Sequence, residues 1–145
     1  MPLVMRVLAV VFFGGWAAAQ VSPVPGTGCP GAVGSHSGRA LPGTTFVVEP
    51  GCVVLTSFAV LGAAGGTPVP VDPLVCGYPL ITGCTLYPQP PLVVVIGGSS
   101  PFGAPVMIPI PSTAALVGLT FAAQGGCLGP SCLDRLTEAL DVTIG

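Results

Sequence analysis

Six cysteines are the residues of this chain whose spacing bears most directly on chemistry. Cys127 and Cys132 flank four residues, and such a pair can bind a metal, exchange electrons or form a local disulfide. A zinc site usually adds histidines or CxxC pairs, and a redox motif also requires CxxC. The chain has one histidine and no CxxC. The even cysteine count therefore predicts structural disulfides, with Cys127 and Cys132 most simply joined as a local loop staple.

Two other segments contain residues that could do chemistry. His36 lies between Ser35 and Ser37, but neighbours in one Gly-rich loop are rarely held at reacting distance, and no GxSxG turn is present. The segment GTGCPG (Gly26–Gly31) has the dinucleotide pattern GxGxxG, with Glu49 about 20 residues later. It follows no predicted strand and leads into no predicted helix. We therefore predict no catalytic residues and no cofactor.

The acidic and aromatic residues suggest two further kinds of site. Asp134, Glu138 and Asp141 are close in sequence and could supply oxygen ligands for calcium. The chain lacks the DxDxDG pattern of a calcium loop, and we expect Asp141 to point outward from a strand, so no metal site is predicted. A stacking platform for a sugar would draw on the aromatic side chains of Tyr78, Tyr87 and Phe102.

The N-terminus predicts export. Arg6 precedes an apolar run that ends in three alanines at residues 17–19, which is the layout of a secretory signal peptide over residues 1–19. The run is shorter than the roughly 20 residues that a membrane-spanning helix needs. We predict cleavage after Ala19, a secreted, periplasmic or cell-envelope location, and no integral membrane segment after cleavage. A Gly/Pro-rich segment over residues 20–43 and one β-sandwich domain over residues 44–145 would then form the mature chain.

Charge is scarce along the chain, which has three basic and five acidic residues and a net charge of −2. Charged residues make up 6% of the sequence, against roughly 25% in an average soluble protein. Nothing resembles the basic stripe that nucleic acid requires, so we predict no nucleic-acid partner. The 22 glycines and 18 prolines alternate with short β-branched runs, which indicates a folded domain with dense turns.

These runs predict an all-β fold, an antiparallel β-sandwich of about seven or eight short strands stapled by disulfides. Apolar and polar residues alternate in the two runs nearest the C-terminus, as in a half-buried sheet. The predicted strands are Thr44–Glu49, Cys52–Leu61, Val69–Val75, Cys84–Tyr87, Leu92–Ile96, Val106–Ile110, Leu119–Gln124 and Ala139–Ile144.

The runs also predict where some elements lie. Leu92–Ile96 does not alternate, so we expect a central strand that is covered on both faces. Pro109 favours an edge position for its strand, because proline cannot donate a ladder hydrogen bond. One or two short helical turns are predicted, at Pro111–Gly118 with Thr113 or the serine before it as the cap, and at residues 131–140.

Four segments resemble an uncharacterised family of small secreted domains that is abundant in planctomycete-type bacteria. They are GTGCPG at 26–31, GCTL at 83–86, IPIPSTAALVGLTFAAQ at 108–124 and VTIG at 142–145. Their order agrees with the family over nearly the whole mature chain, although Thr82 replaces its usual proline and Ala122 its usual tyrosine. The resemblance implies a secreted β-sandwich with no established activity.

The resemblance also bears on the disulfides. Arithmetic alone leaves fifteen connectivities for six cysteines. The two regular cysteines of the family fall on Cys29 and Cys84, which implies that these two are paired and that their bridge joins residues 20–43 to the domain. The simplest completion then consists of the pairs Cys52–Cys76 and Cys127–Cys132.

We expect a secreted, non-catalytic structural or interaction module that binds an unknown protein or cell-envelope partner. A carbohydrate- or envelope-binding domain is one alternative, which clustering of the three aromatic side chains on one exposed face would favour. An extracellular hydrolase is another, and it requires two acids paired in one concave pocket, because one histidine and five scattered acids offer little else.

Overall fold

The computed structural model describes residues 18–101 and 103–145 and has an all-β fold with three disulfides, as the sequence predicts. Residues 1–17 of the predicted signal peptide lie outside the described residues, so its cleavage stays a prediction. Two 3₁₀ turns are present, at Asp72–Leu74 and Ala114–Leu116. The strands are β1 (Gln20–Val24), β2 (His36–Ser37), β3 (Thr45–Val48), β4 (Thr56–Ala63), β5 (Val69–Pro70), β6 (Thr85–Leu86), β7 (Pro91–Ser99), β8 (Val106–Pro109), β9 (Thr120–Leu128), β10 (Leu133–Leu136) and β11 (Ala139–Thr143).

Two antiparallel sheets form the sandwich. The strands of the larger sheet follow the order β1-β11-β9-β4-β7, and β10 also pairs with β9. The smaller sheet has the order β2-β3-β8. It covers one face of the larger sheet through a first core, in which Phe46 and Ile108 contact Ala59 and Val142. Residues 20–43 thus contribute a strand to each sheet.

A second core lies on the opposite face of the larger sheet. Phe58 and Val60 of β4 are buried there with Val71 and Val75, which flank the 3₁₀ turn at Asp72–Leu74. Because successive residues of a strand point to opposite faces, β4 serves both cores. It is an inner strand of the larger sheet, between β9 and β7, and buried side chains cover it on both faces.

Strand β7 occupies the end of the larger sheet, and among the described strands it pairs with β4 alone. The prediction that Leu92–Ile96 forms a central strand covered on both faces is therefore wrong. A continuous apolar run shows no alternation whether both faces of its strand are buried or both are exposed. The pattern therefore does not distinguish the two cases. In β7 most of the large apolar side chains are exposed.

Other predictions of position have mixed outcomes. The edge position implied by Pro109 is confirmed, because β8 is the last strand of the smaller sheet. The turn at Pro111–Gly118 is also confirmed, and the Thr113 hydroxyl accepts a hydrogen bond from the backbone N–H of Ala115 at 3.4 Å. The prediction of a helical turn at residues 131–140 is wrong. Strand β10 forms there instead, as the return strand of a hairpin with β9.

The disulfides join distant parts of the chain. Cys29 is bonded to Cys84, the pair that the resemblance implies. The other two predicted pairs, Cys52–Cys76 and Cys127–Cys132, are wrong. The remaining disulfides join Cys52 to Cys127 and Cys76 to Cys132.

The pairing of the strands explains why Cys127 and Cys132 do not form a local staple. Strand β9 continues past Gln124, so Cys127 lies inside a strand, fully buried and one pairing position from the start of β4. Cys132 lies in the following turn, where Val75 forms a parallel bridge with Leu133 and brings Cys76 alongside. The two cysteines, although they lie in one hairpin, are therefore bonded to different segments, Cys127 to Cys52 and Cys132 to Cys76.

A buried glutamine connects the layers on the second face. The side chain of Gln124 is fully buried in β9. Its Oε1 accepts a hydrogen bond from the backbone N–H of Tyr87 at 2.9 Å, and its Nε2 donates to the carbonyls of Thr85 at 3.0 Å and Thr137 at 2.9 Å. Gln124 is a polar residue of the alternating run 119–124, yet its side chain faces protein and not solvent. The reason is that the segment around β6 covers this face of the sheet.

Candidate interaction surface

The structure does not bring together the nucleophile and base suggested by the segment around His36. The His36 ring contacts Phe46 edge-on, with ring centroids 5.5 Å apart. The hydroxyls of Ser35 and Ser37 donate hydrogen bonds to the Glu49 carboxylate at 3.2 and 3.3 Å. Neighbouring strand residues point to opposite faces, so the imidazole and the two hydroxyls face different surroundings.

The GTGCPG segment forms a turn anchored by a disulfide. Gly28 exchanges two backbone hydrogen bonds with Thr85, at 3.1 and 2.9 Å, and the neighbouring Cys29 is bonded to Cys84. Gly28 has a left-handed φ of 79°, and a Cβ there would collide with the carbonyl of Thr137. The glycine is required for close backbone approach, and no helix begins after the segment that could hold a phosphate.

The acidic residues are dispersed. Asp134 forms an exposed ion pair with Arg135 at 3.4 Å, and Asp141 accepts a hydrogen bond from the Tyr87 hydroxyl at 3.3 Å instead of pointing freely into solvent. Asp134 and Glu138 line different grooves. Within residues 18–101 and 103–145, no three His, Cys, Asp or Glu side chains are close enough to hold a metal ion.

The two described tyrosines do not form an aromatic platform. Tyr87 is buried, and its hydroxyl also accepts a hydrogen bond from the backbone N–H of Gly65 at 2.7 Å. Tyr78 is 54% exposed. Phe102 lies outside the described residues. Of the described aromatic residues in this set, only Tyr78 is therefore available for stacking.

The most prominent feature of the surface is apolar and lies on β7. Four large aliphatic side chains of this strand are more than half exposed. They are Leu92 (71%), Val93 (53%), Val94 (58%) and Ile96 (58%), which we call the β7 edge surface. A soluble monomer rarely exposes so many adjoining apolar side chains, and such patches mark interaction sites.

The pairing with β4 shows how these side chains are distributed. Val93 and Val95 pair with β4 residues on the side of the first core, and Val95 contacts that core. Val94 and Ile96 pair with Val60 and Phe58, on the side of the second core. The β7 edge surface therefore extends over both faces of the larger sheet.

An apolar groove opens beside this strand, between β7 and β8. It has a volume of about 240 Å³, and its walls include Val93, Ile108, Phe121 and Ile144. Both sheets contribute to its walls, because Phe121 belongs to the larger sheet and Ile108 to the smaller one.

The far end of β7 is closed. Gly97 is an extra residue in the pairing with β4, between Ser57 and Phe58, which is a β-bulge. A Cβ on Gly97 would lie 2.7 Å from the carbonyl oxygen of Pro105 and 2.9 Å from Val106. Glycine thus lets β7 approach the start of β8, and the free edge is confined to the residues before the bulge.

Between its bulged residues Leu92 and Gly97, the edge lacks two of the features that usually prevent strands from pairing with other chains. Such features are charged side chains, particularly lysine, and prolines within the strand. No charged residue occurs between Asp72 and Asp134. The proline of β7, Pro91, is its first residue, where it does not interrupt the rest of the strand.

Comparisons of this chain with protein-family models, curated proteins and solved structures find no match. In the part of the chain that the structure describes, no helix combines the length and the hydropathy needed to cross a bilayer. All six cysteines are paired, which indicates an oxidising compartment.

Proposed function

We propose that the protein is an exported, non-catalytic structural or interaction module that binds a protein or cell-envelope partner through the β7 edge surface. The observation that carries this proposal is the exposure of an uncharged aliphatic strand at the edge of a sheet. Burying such side chains against a partner removes apolar area from water, which is the main driving force of association.

Export is supported by two features that are independent of each other. The N-terminal apolar run ends in small residues at 17–19, as a signal peptidase requires. Three disulfides that join distant segments persist in oxidising compartments and are rare in the cytosol. Both are expected of a module that acts outside the cytoplasm.

The non-catalytic role is supported by the placement of the polar residues. The hydroxyls of Ser35 and Ser37 are bound to Glu49, and Asp141 is bound to Tyr87. A glycoside hydrolase would usually need two carboxyl groups facing one substrate. Glu49 and Asp134 line separate grooves, whereas four exposed aliphatic side chains lie together on β7.

Site-specific photo-crosslinking in cells that export the full chain tests the proposal. A photoreactive amino acid at Val94 should yield covalent adducts with a protein or an envelope component. The same substitution at Val33, an equally large aliphatic residue that is 75% exposed in another loop, should yield few. Equal labelling at the two positions, or the absence of adducts at Val94, would overturn the proposed function.

A further inference from the structure

We infer that the partner of the β7 edge surface is β7 of a second copy of this chain, added antiparallel to form one continuous sheet across a two-fold axis. The inference rests on the proposed function, because it names the occupant of the same surface. It follows from the charge, the pairing and the size of the edge.

The charge of the surroundings restricts what can bind. An edge strand presents unpaired backbone N–H and C=O groups that pair readily with an added strand. A charged side chain on the added strand would lose its water beside Val93 and Val94, and β7 has no charged residue to pair with it. An uncharged strand with aliphatic side chains on both faces therefore fits this edge best, and β7 itself has this composition.

The pairing of two β7 strands is self-complementary. A two-fold axis at Val94 places Val94 opposite its copy, and Val93 opposite Val95 of the other chain. Aliphatic β-branched residues then face each other on both sides of the joined sheet, and such cross-strand pairs stabilise a sheet. Isologous pairing of this kind also closes the assembly at two chains, because each β7 edge is then covered by its copy.

The size of the edge suits a weak dimer. The residues of β7 before the Gly97 bulge, 91–96, span about 20 Å, and two sheet layers with their side chains are about 20 Å deep, so the edge offers on the order of 400 Å². A standard interface buries roughly 800 Å² per partner. We therefore expect a weak dimer that forms below the millimolar range and dissociates on dilution.

Sedimentation velocity of the disulfide-bonded mature protein over a dilution series tests the inference. The wild type should change from dimer to monomer. Val94→Lys places two like charges at the two-fold axis and should raise the dissociation constant at least tenfold. Val33→Lys adds the same charge away from β7 and should leave the dissociation constant within twofold of the wild type.

Hydrogen–deuterium exchange of the wild type gives a second readout that does not depend on the variants. Amides between Leu92 and Ile96 should exchange more slowly at high protein concentration than at low concentration, while those of β1, at the opposite edge, should not change. A wild type that stays monomeric into the millimolar range, or unchanged exchange in β7, would overturn the dimer.

The crosslinking experiment separates failure of the dimer from failure of the proposed function. Adducts at Val94 that contain two copies of this chain support the dimer. Adducts that join Val94 to a different protein or to an envelope component leave the proposed function standing and overturn the second copy as the partner. The absence of adducts at Val94 overturns both.

Discussion

The stability of the domain should depend unequally on its disulfides, and the pairs Cys52–Cys127 and Cys76–Cys132 allow a direct comparison. Their sequence separations are 75 and 56 residues. Loop-closure entropy grows only logarithmically with loop length, so each bond should contribute about 4 kcal/mol to the free energy of unfolding at 25 °C. The entropic contributions of the two bonds should therefore be nearly equal.

The burial of the cysteine side chains should make the two losses in the free energy of unfolding unequal. Cys52 and Cys127 are fully buried, whereas Cys76 and Cys132 are half-buried. Replacing each buried cysteine by alanine leaves a small cavity, which should cost about 1 kcal/mol per site. We expect Cys52→Ala/Cys127→Ala to lower the free energy of unfolding by about 6 kcal/mol, and Cys76→Ala/Cys132→Ala to lower it by about 4 kcal/mol.

Urea unfolding without reductant measures both losses, and peptide mapping of the unreduced wild type identifies the bonds. Since domains are stable by only about 5–15 kcal/mol, the first variant should be close to unfolded, while the second should retain a cooperative transition. A larger loss for Cys76→Ala/Cys132→Ala would refute the reasoning. So would a mapped bond between Cys127 and Cys132.

Three further predictions follow from single positions. Gln124→Leu removes two buried hydrogen bonds and one partly buried one and should lower the free energy of unfolding by about 3 kcal/mol, whereas Gln20→Leu, at an exposed position, should change it little in urea unfolding. Gly28→Ala should cost about 3 kcal/mol or more by thermal unfolding, because its Cβ meets the carbonyl of Thr137. Gly26→Ala, with the same φ of 79° but open space around it, should cost only about 1 kcal/mol, and equal losses would contradict the steric argument. Mass spectrometry of the exported protein should find Gln20 at or near the N-terminus, and a chain that still begins at Met1 would rule out the predicted signal peptide.

Several features of the fold could be predicted because they depend on residues close together in the sequence. β-Branched runs between glycines and prolines indicated strands, and Ser112 or Thr113 indicated the cap of a short turn, which the structure assigns to Thr113. Pro109 indicated an edge strand, because a residue without a backbone N–H cannot donate a hydrogen bond to a neighbouring strand. An even number of cysteines behind an apolar N-terminal run indicated structural disulfides.

The surface formed by β7 could not be predicted, and neither could the partner of Cys127. An unbroken aliphatic run is compatible with a central strand or an edge strand, because local sequence does not show which strands become neighbours. In the same way, the spacing of Cys127 and Cys132 did not show that β9 extends through the first of them.

The sequence by itself determined that the chain forms short strands with dense turns and cross-links its cysteines, since backbone preferences and thiol chemistry act locally. Only the tertiary structure decided that β4 is covered on both faces, that β7 is exposed and that Gln124 faces protein. Each of these depends on which segments cover a given face, and here those segments come from far away in the chain, such as Thr85 over Gln124. Burial is thus a property of the assembled layers, while strand formation is a property of the individual segment.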